Sequence, residues 1–144
     1  MKLTRSFTVR PAPGVVRAYL LDFAHAEEWD PGTQSCERLD TGPVQVGSRW
    51  HNASRFLGRT VELTYTLVTA DPDRLVFEGT NDASVARDDL RITRDDDGTR
   101  IDYNATITLT GRLGSALDPV LARLMSRVAD KTVEQLTGAL DKLD

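Results

Sequence analysis

The apolar residues near the C-terminus do most to limit what this chain can become. Leu117, Val120, Leu121, Leu124, Met125, Val128, Val133, Leu136, Leu140 and Leu143 recur at spacings of three and four, a period that only a helix gathers into one stripe. Between them stand Arg123, Arg127, Asp130, Lys131, Glu134, Asp141 and Lys142, a mixed-sign face suited to water rather than to a membrane surface. At ~25 residues and about 1.5 Å of rise per residue, such a helix spans the width of a small domain. A stripe of that length has to be covered, and the upstream chain must supply the cover. Its start is marked either by Asp118-Pro119 or by a cap at Ser115, after an entry segment that Gly111 and Gly114 allow to move.

A chain of 144 residues is expected to be one domain, 1–144, large enough to need neither metal nor disulfide for stability. Cys36 is the only cysteine and has no flanking His or Lys to lower its pKa, so it reads as a structural thiol in a reducing compartment. The net charge of -4 is spread with both signs interspersed, which argues against nucleic acid as a partner. No run of about 18 apolar residues occurs, and Met1-Lys2-Leu3-Thr4-Arg5 is no signal peptide, so the expectation is a cytoplasmic protein without membrane insertion. Nothing in the sequence separates a monomer from a homodimer.

Upstream of the stripe, Leu3, Arg5, Phe7 and Val9 alternate with polar residues and predict a first strand with odd positions inward. Pro11 and Pro13 end it. Val15 to Phe23 follow at helical spacing, and a second short helical turn runs from Ala24 to Trp29, closed by Pro31-Gly32. The period then switches to two. Strands are expected at about 34–40, 46–56, 60–68, 74–80, 84–94 and 99–109. The gaps carry the turn signals Thr41-Gly42-Pro43, Leu57-Gly58, Asp71-Pro72, Asn81-Asp82 and Asp97-Gly98, short enough to join only antiparallel neighbours. The fold class is α+β: a curved antiparallel sheet wrapped around its last helix.

Register assigns the faces. A hairpin loop at Asp97-Gly98, or one from Asp95 to Gly98, places Asp88, Leu90 and Ile92 with Ile101, Tyr103, Ala105 and Ile107 on the inner face. Pairing across Asn81-Asp82 adds Leu75, Phe77 and Gly79; Val61, Leu63, Tyr65 and Leu67 join them if the Asp71-Pro72 loop has an odd number of residues. In the third strand, turning Trp50, Asn52, Ser54 and Phe56 inward buries two rings, whereas a one-residue slip would bury Arg49 and Arg55. Trp50 and Asn52 are the expected inward residues, although a bulge would bring in His51 instead.

The runs Thr8-Val9-Arg10-Pro11-Ala12-Pro13, Glu28-Trp29-Asp30-Pro31-Gly32, Val46-Gly47-Ser48-Arg49 and Asp71-Pro72-Asp73-Arg74-Leu75-Val76-Phe77 resemble the polyketide cyclase/dehydrase and lipid-transfer family, within the START-like (SRPBCC) helix-grip superfamily. The resemblance spans the chain and rests on structural motifs: an Ala-Pro after the first strand, a Trp-x-Pro after the second helix and a Gly opening the third strand. It implies a seven-stranded sheet gripping the C-terminal helix, two short helices after the first strand, and a cavity between sheet and helix. It does not imply a reaction, because relatives range from aromatase-cyclases to lipid carriers and no shared catalytic motif exists to carry over.

Combined with the register, this gives a candidate ligand-binding set. From the helices and sheet come Trp29, Trp50, Asn52, Tyr65, Phe77, Leu90 and Tyr103, and from the long helix Leu121, Leu124, Met125 and Val128. They suit a small hydrophobic, lipid-like or polyketide-like ligand, with Asn52 and the two tyrosine hydroxyls as polar handles; the same residues would also make a filled core. Asp88 is the one carboxylate on the inner face. It is either a catalytic acid or base with a raised pKa, or a strand-end residue solvated or paired with an arginine. Carriage of a ligand is the first expectation, and a cofactor-independent cyclase, aromatase or dehydratase the alternative. His25 and His51 have no spacing that makes a metal site, Asp95-Asp96-Asp97-Gly98 lacks the pattern of a calcium loop, and no nucleophile motif occurs. No metal or cofactor is expected.

Overall fold

The computed structural model describes residues 1–109 and 119–143. The elements are β1 (Lys2–Val9), α1 (Pro13–Leu21), a 3-10 turn at Phe23–His25, α2 (Ala26–Trp29), β2 (Thr33–Arg38), β3 (Arg49–Phe56), β4 (Arg59–Asp71), β5 (Arg74–Thr80), β6 (Ser84–Asp95), β7 (Gly98–Leu109) and α3 (Pro119–Asp141). The alternative helix starts at Ser115 and Asp118, together with Gly111, Gly114 and Leu117, lie outside the described residues.

The seven strands form one sheet in the order β1-β7-β6-β5-β4-β3-β2, antiparallel throughout. Strands β2 to β7 make the meander, and β1 closes back onto β7 with Leu3 opposite Ala105 and Phe7 opposite Ile101. Its Arg5 faces inward and reaches α3, donating from Nε to Asp130 at 2.9 Å and from Nη2 to the Ser126 hydroxyl at 2.9 Å. Further along, the Arg10 backbone N–H donates to Asp141 at 2.9 Å. Helix α3 therefore runs in the direction of β1, its first turns near the start of that strand and its last turns near the end.

The last hairpin turns through Asp96 and Asp97, with Asp95 opposite Gly98, and the inner face it sets is the expected one. Between β4 and β5 the expected face is reached by another route. The loop contains Pro72 and Asp73, an even number, since Asp71 pairs with Arg74. A bulge between Leu67 and Thr69 absorbs Val68, and that single extra residue restores Tyr65 and Leu67 to the inner face. In β3 the inward pair is Trp50 and Asn52, 0% and 1% exposed, while His51 points outward to Glu62 at 3.3 Å. The outer face carries charge pairs such as Arg74 with Asp89, a two-point contact at 3.0 and 2.7 Å.

The core is densest beneath α1 and the 3-10 turn. Phe23 meets the rings of Tyr65 and Phe77 at centroid distances of 4.4 and 4.6 Å, and Trp50 packs edge-on to Phe77 at 5.7 Å. Leu67, Leu75, Ile101, Leu136 and Leu140 are all 0% exposed. None of the described helices is long and apolar enough to cross a membrane.

Candidate functional site

A cavity of about 440 Å³ opens between the sheet and the first half of α3, within the usual size of small-molecule sites, about 300–1,000 Å³. Its walls follow from register. Strand β1 contributes Leu3, β4 contributes Val61, Leu63 and Tyr65, β6 contributes Ala86 and Asp88, and β7 contributes Tyr103, Ala105 and Ile107. The helical side is Met125, Val128, Ala129, Thr132 and Val133, positions at helical spacing on one side of α3. Phe23 and Trp29 approach from the short helices, and Asp30, Pro31 and Gly32 from the turn that follows them.

Two features make the space. The walls carry small residues, among them Gly32, Ala86, Ala105 and Ala129, where facing positions elsewhere carry rings or leucines. In addition, Tyr65 is laid flat over Gly79: a Cβ there would stand 2.7 Å from the ring. Only glycine lets the ring lie against the strand.

Polar groups gather in the cavity. Asp88 is 8% exposed and accepts a hydrogen bond from the Tyr103 hydroxyl at 2.5 Å. Burial pushes its carboxyl up to about 7, with the nearby Asp30 carboxylate adding to the effect and the Tyr103 hydrogen bond opposing it. Asp30 is itself raised by burial, against the Thr33 hydroxyl at 2.7 Å and the Gly32 amide at 3.2 Å. Burial, and then the negative charge of Asp88, hold the hydroxyls of Tyr65 and Tyr103 protonated well above the ordinary range. Asp88 is thus neither at a strand end nor paired with an arginine, the plainer of its two expected settings. It sits mid-strand between Phe77 and Ala105.

Of the predicted ligand set, Trp29, Tyr65, Tyr103, Met125 and Val128 border the cavity, with Asp88. Trp50, Phe77 and Leu90 do not: they lie in the packed core, at most 1% exposed. Trp50 donates its Nε1–H to Asp22 at 3.0 Å, which also caps the Ala24 amide at 3.0 Å. Asn52 is not free to orient a ligand, since it donates to the Thr33 hydroxyl at 3.0 Å and accepts from Ser54 at 2.7 Å. Leu121 and Leu124, half-buried on α3, are not among the bordering residues. Sequence reasoning passed over Phe23, Asp30 and the small wall residues, although the register had placed Val61, Leu63, Ala105 and Ile107 on the inner face. Absence of bulk at an inward position was the available signal.

Comparison with known proteins follows the same outline. The family model described as polyketide cyclase / dehydrase and lipid transport matches residues 1–141. This chain belongs to that family. The polyketide cyclase / dehydrase and lipid transport fold is also what the solved structures share with it. TTHA0849 from Thermus thermophilus superposes with a TM-score of 0.80 at 16% identity, covering 97% of each chain. A START superfamily protein from Mycobacterium smegmatis gives 0.78 at 12% identity, over 98% of this chain and 97% of its own. The Zhui aromatase/cyclase from a Streptomyces strain gives 0.76 at 16% identity, over 99% of this chain and 94% of its own. No curated protein matches the sequence. At these identities the structural likeness speaks for the fold alone.

Proposed function

We propose that the protein binds and carries a small hydrophobic molecule in the cavity between the sheet and the first half of α3. The observation that carries this reading is the character of the cavity: about 440 Å³, walled mainly by aliphatic and aromatic side chains, with Asp30, Asp88 and their tyrosine neighbours as its buried polar groups and Arg5, Arg55, Thr106 and Thr132 among the other polar residues at its border. A filled core would leave no such volume. The test is binding of phenylnaphthylamine, a neutral apolar dye that fluoresces in dry surroundings, together with native mass spectrometry of the purified protein. Saturable fluorescence at one dye per chain, displaced by extracted ligand or by long-chain alcohols, is the expected result. A dye that never saturates would end the reading.

A second reading, cyclisation or dehydration of a bound carbonyl chain, is favoured by one observation. Asp88, pushed up to about 7 by burial and held by Tyr103, can hold or release a proton at neutral pH beside a bound molecule. Incubation with a linear poly-β-ketone thioester, followed by mass spectrometry, tests it. Under this reading the protein alters the product profile and Asp88→Asn removes the alteration; a profile identical to that without protein rejects it.

A further inference from the structure

Two polar atoms in the cavity have no hydrogen-bond partner among the described residues. The Tyr103 hydroxyl takes one carboxyl oxygen of Asp88, Oδ1, and the other, Oδ2, has no partner among the described residues. The Tyr65 hydroxyl likewise has none. No side-chain nitrogen or oxygen that is sealed from solvent lacks a partner among the described residues, so both atoms must open on the cavity that their residues border. Register brings their residues to the same part of the inner face. The Tyr65 ring rests on Gly79, Gly79 pairs with Ala86 of β6, and Asp88 is the next inward residue of that strand.

Among the described residues, the cations that face the cavity from β1 are engaged elsewhere. Arg5 gives Nε to Asp130, and its two terminal nitrogens to the Thr4 carbonyl and to Ser126. The N-terminal ammonium donates to the Ile107 carbonyl at 2.8 Å. Arg55 borders the cavity, but it is exposed and stands on the outward-facing register of β3. The second carboxylate, Asp30, already accepts from Thr33 and Gly32. The polar end of the cavity thus offers one carboxyl oxygen that wants a donor and one phenol that can give or take a hydrogen bond.

We infer that the cavity selects a neutral amphiphile headed by a hydroxyl group, which donates to Asp88 and accepts from Tyr65, and turns away a carboxylate-headed chain. A carboxylate head would find the inward arginine of β1, Arg5, already committed to Asp130 and Ser126 and two carboxylates facing it, whereas a hydroxyl can both donate to Asp88 and accept from Tyr65. An ester head can accept from Tyr65 but has nothing to give Asp88.

This inference rests on the cavity being a binding site, and the experiment separates the two. Phenylnaphthylamine is displaced at pH 8 by decanol, methyl decanoate or decanoate, chains alike in apolar length. Decanol should compete best, methyl decanoate less well and decanoate at least about tenfold more weakly than decanol. In Asp88→Asn the gap between decanol and decanoate should close to about twofold, and Tyr65→Phe should weaken decanol several-fold while leaving decanoate unchanged. If dye binds the native protein but decanoate competes as well as decanol, the inference falls and the binding site stands. If dye does not bind at all, both fall together.

Discussion

The space between sheet and α3 has two halves built by opposite rules. Toward the end of β1, under α1, the core is filled by large side chains: Phe23, Trp50, Leu67, Leu75 and Phe77 share one cluster with Leu136 and Leu140, all 3% exposed or less. Toward the start of β1 the inward positions carry Ala86, Ala105 and Gly32, and α3 answers with Val128, Ala129 and Thr132. Both halves have the same strands, the same alternation and the same helix. Side-chain volume alone separates a packed core from a cavity, so one half serves stability and the other is free to serve a ligand.

The sharpest way to break this comparison is to remove bulk from each half. Phe77→Ala should cost about 4 kcal/mol, because a fully enclosed ring is deleted from a close-packed site. Val128→Ala borders space that is already empty and should cost less than about 1 kcal/mol, as the truncation creates little new void. Urea denaturation measures both. Equal losses would mean that the two halves are packed alike.

The second effect turns on Asp88, the carboxylate that the inner face holds mid-strand. Folded Asp88 keeps its proton up to about pH 7, whereas its ordinary value is 3.8. Between those values the folded chain binds more protons than the unfolded one, so the contribution of this group is fully present below 3.8 and is lost as pH rises to about 7. Asp88→Asn has no such dependence. Relative to the variant, the native protein should lose on the order of 4 kcal/mol across that window and then stay level. Taking the difference between the two proteins cancels the opposite slopes from Asp40, Asp89 and Asp102, whose pKa values are lowered by neighbouring hydrogen bonds and arginines. A difference that does not change with pH would place Asp88 in water.

A smaller effect tests the seam between the halves. Gly79→Ala puts a Cβ within 2.7 Å of the Tyr65 ring, so the ring must lift into the cavity at a cost of about 2 kcal/mol. The cost should nearly vanish when the same change is made in Tyr65→Val, where nothing overlies the glycine. A cost that persists in the double variant would trace to the strand itself.

The fold was legible in the sequence because its signals are periodic and redundant. A helical stripe, six alternating segments and turn residues between them all require the same sheet around the same helix, and errors of one or two residues at strand ends leave the faces unchanged. The bulge at Val68 was not legible, since nothing in Leu67-Val68-Thr69 distinguishes an extra residue from a regular one. The site was legible only in part. Register placed the inward residues, but choosing the largest of them as pocket lining selected Trp50, Phe77 and Leu90, which are large because they fill space. Asn52 was chosen for its polarity and is consumed by Thr33 and Ser54, a pairing that depends on how β2 sits beside β3 and not on local sequence. Cavities are made by what a side chain does not reach, and a residue's own chemistry says little about that.

Filling the open half produces the smallest change in stability and the clearest change in function. Ala129 stands on α3 at the edge of the cavity, and leucine keeps the helix while projecting branched carbon into the empty volume. Ala129→Leu should raise stability by about 1 kcal/mol, as cavity-filling changes commonly do, while abolishing saturable phenylnaphthylamine binding. The same substitution at a filled site would lower stability through overpacking. The sign of a single thermal-denaturation shift therefore decides whether the space beside α3 is empty, and loss of dye binding in a variant that is more stable than the native chain cannot be attributed to unfolding.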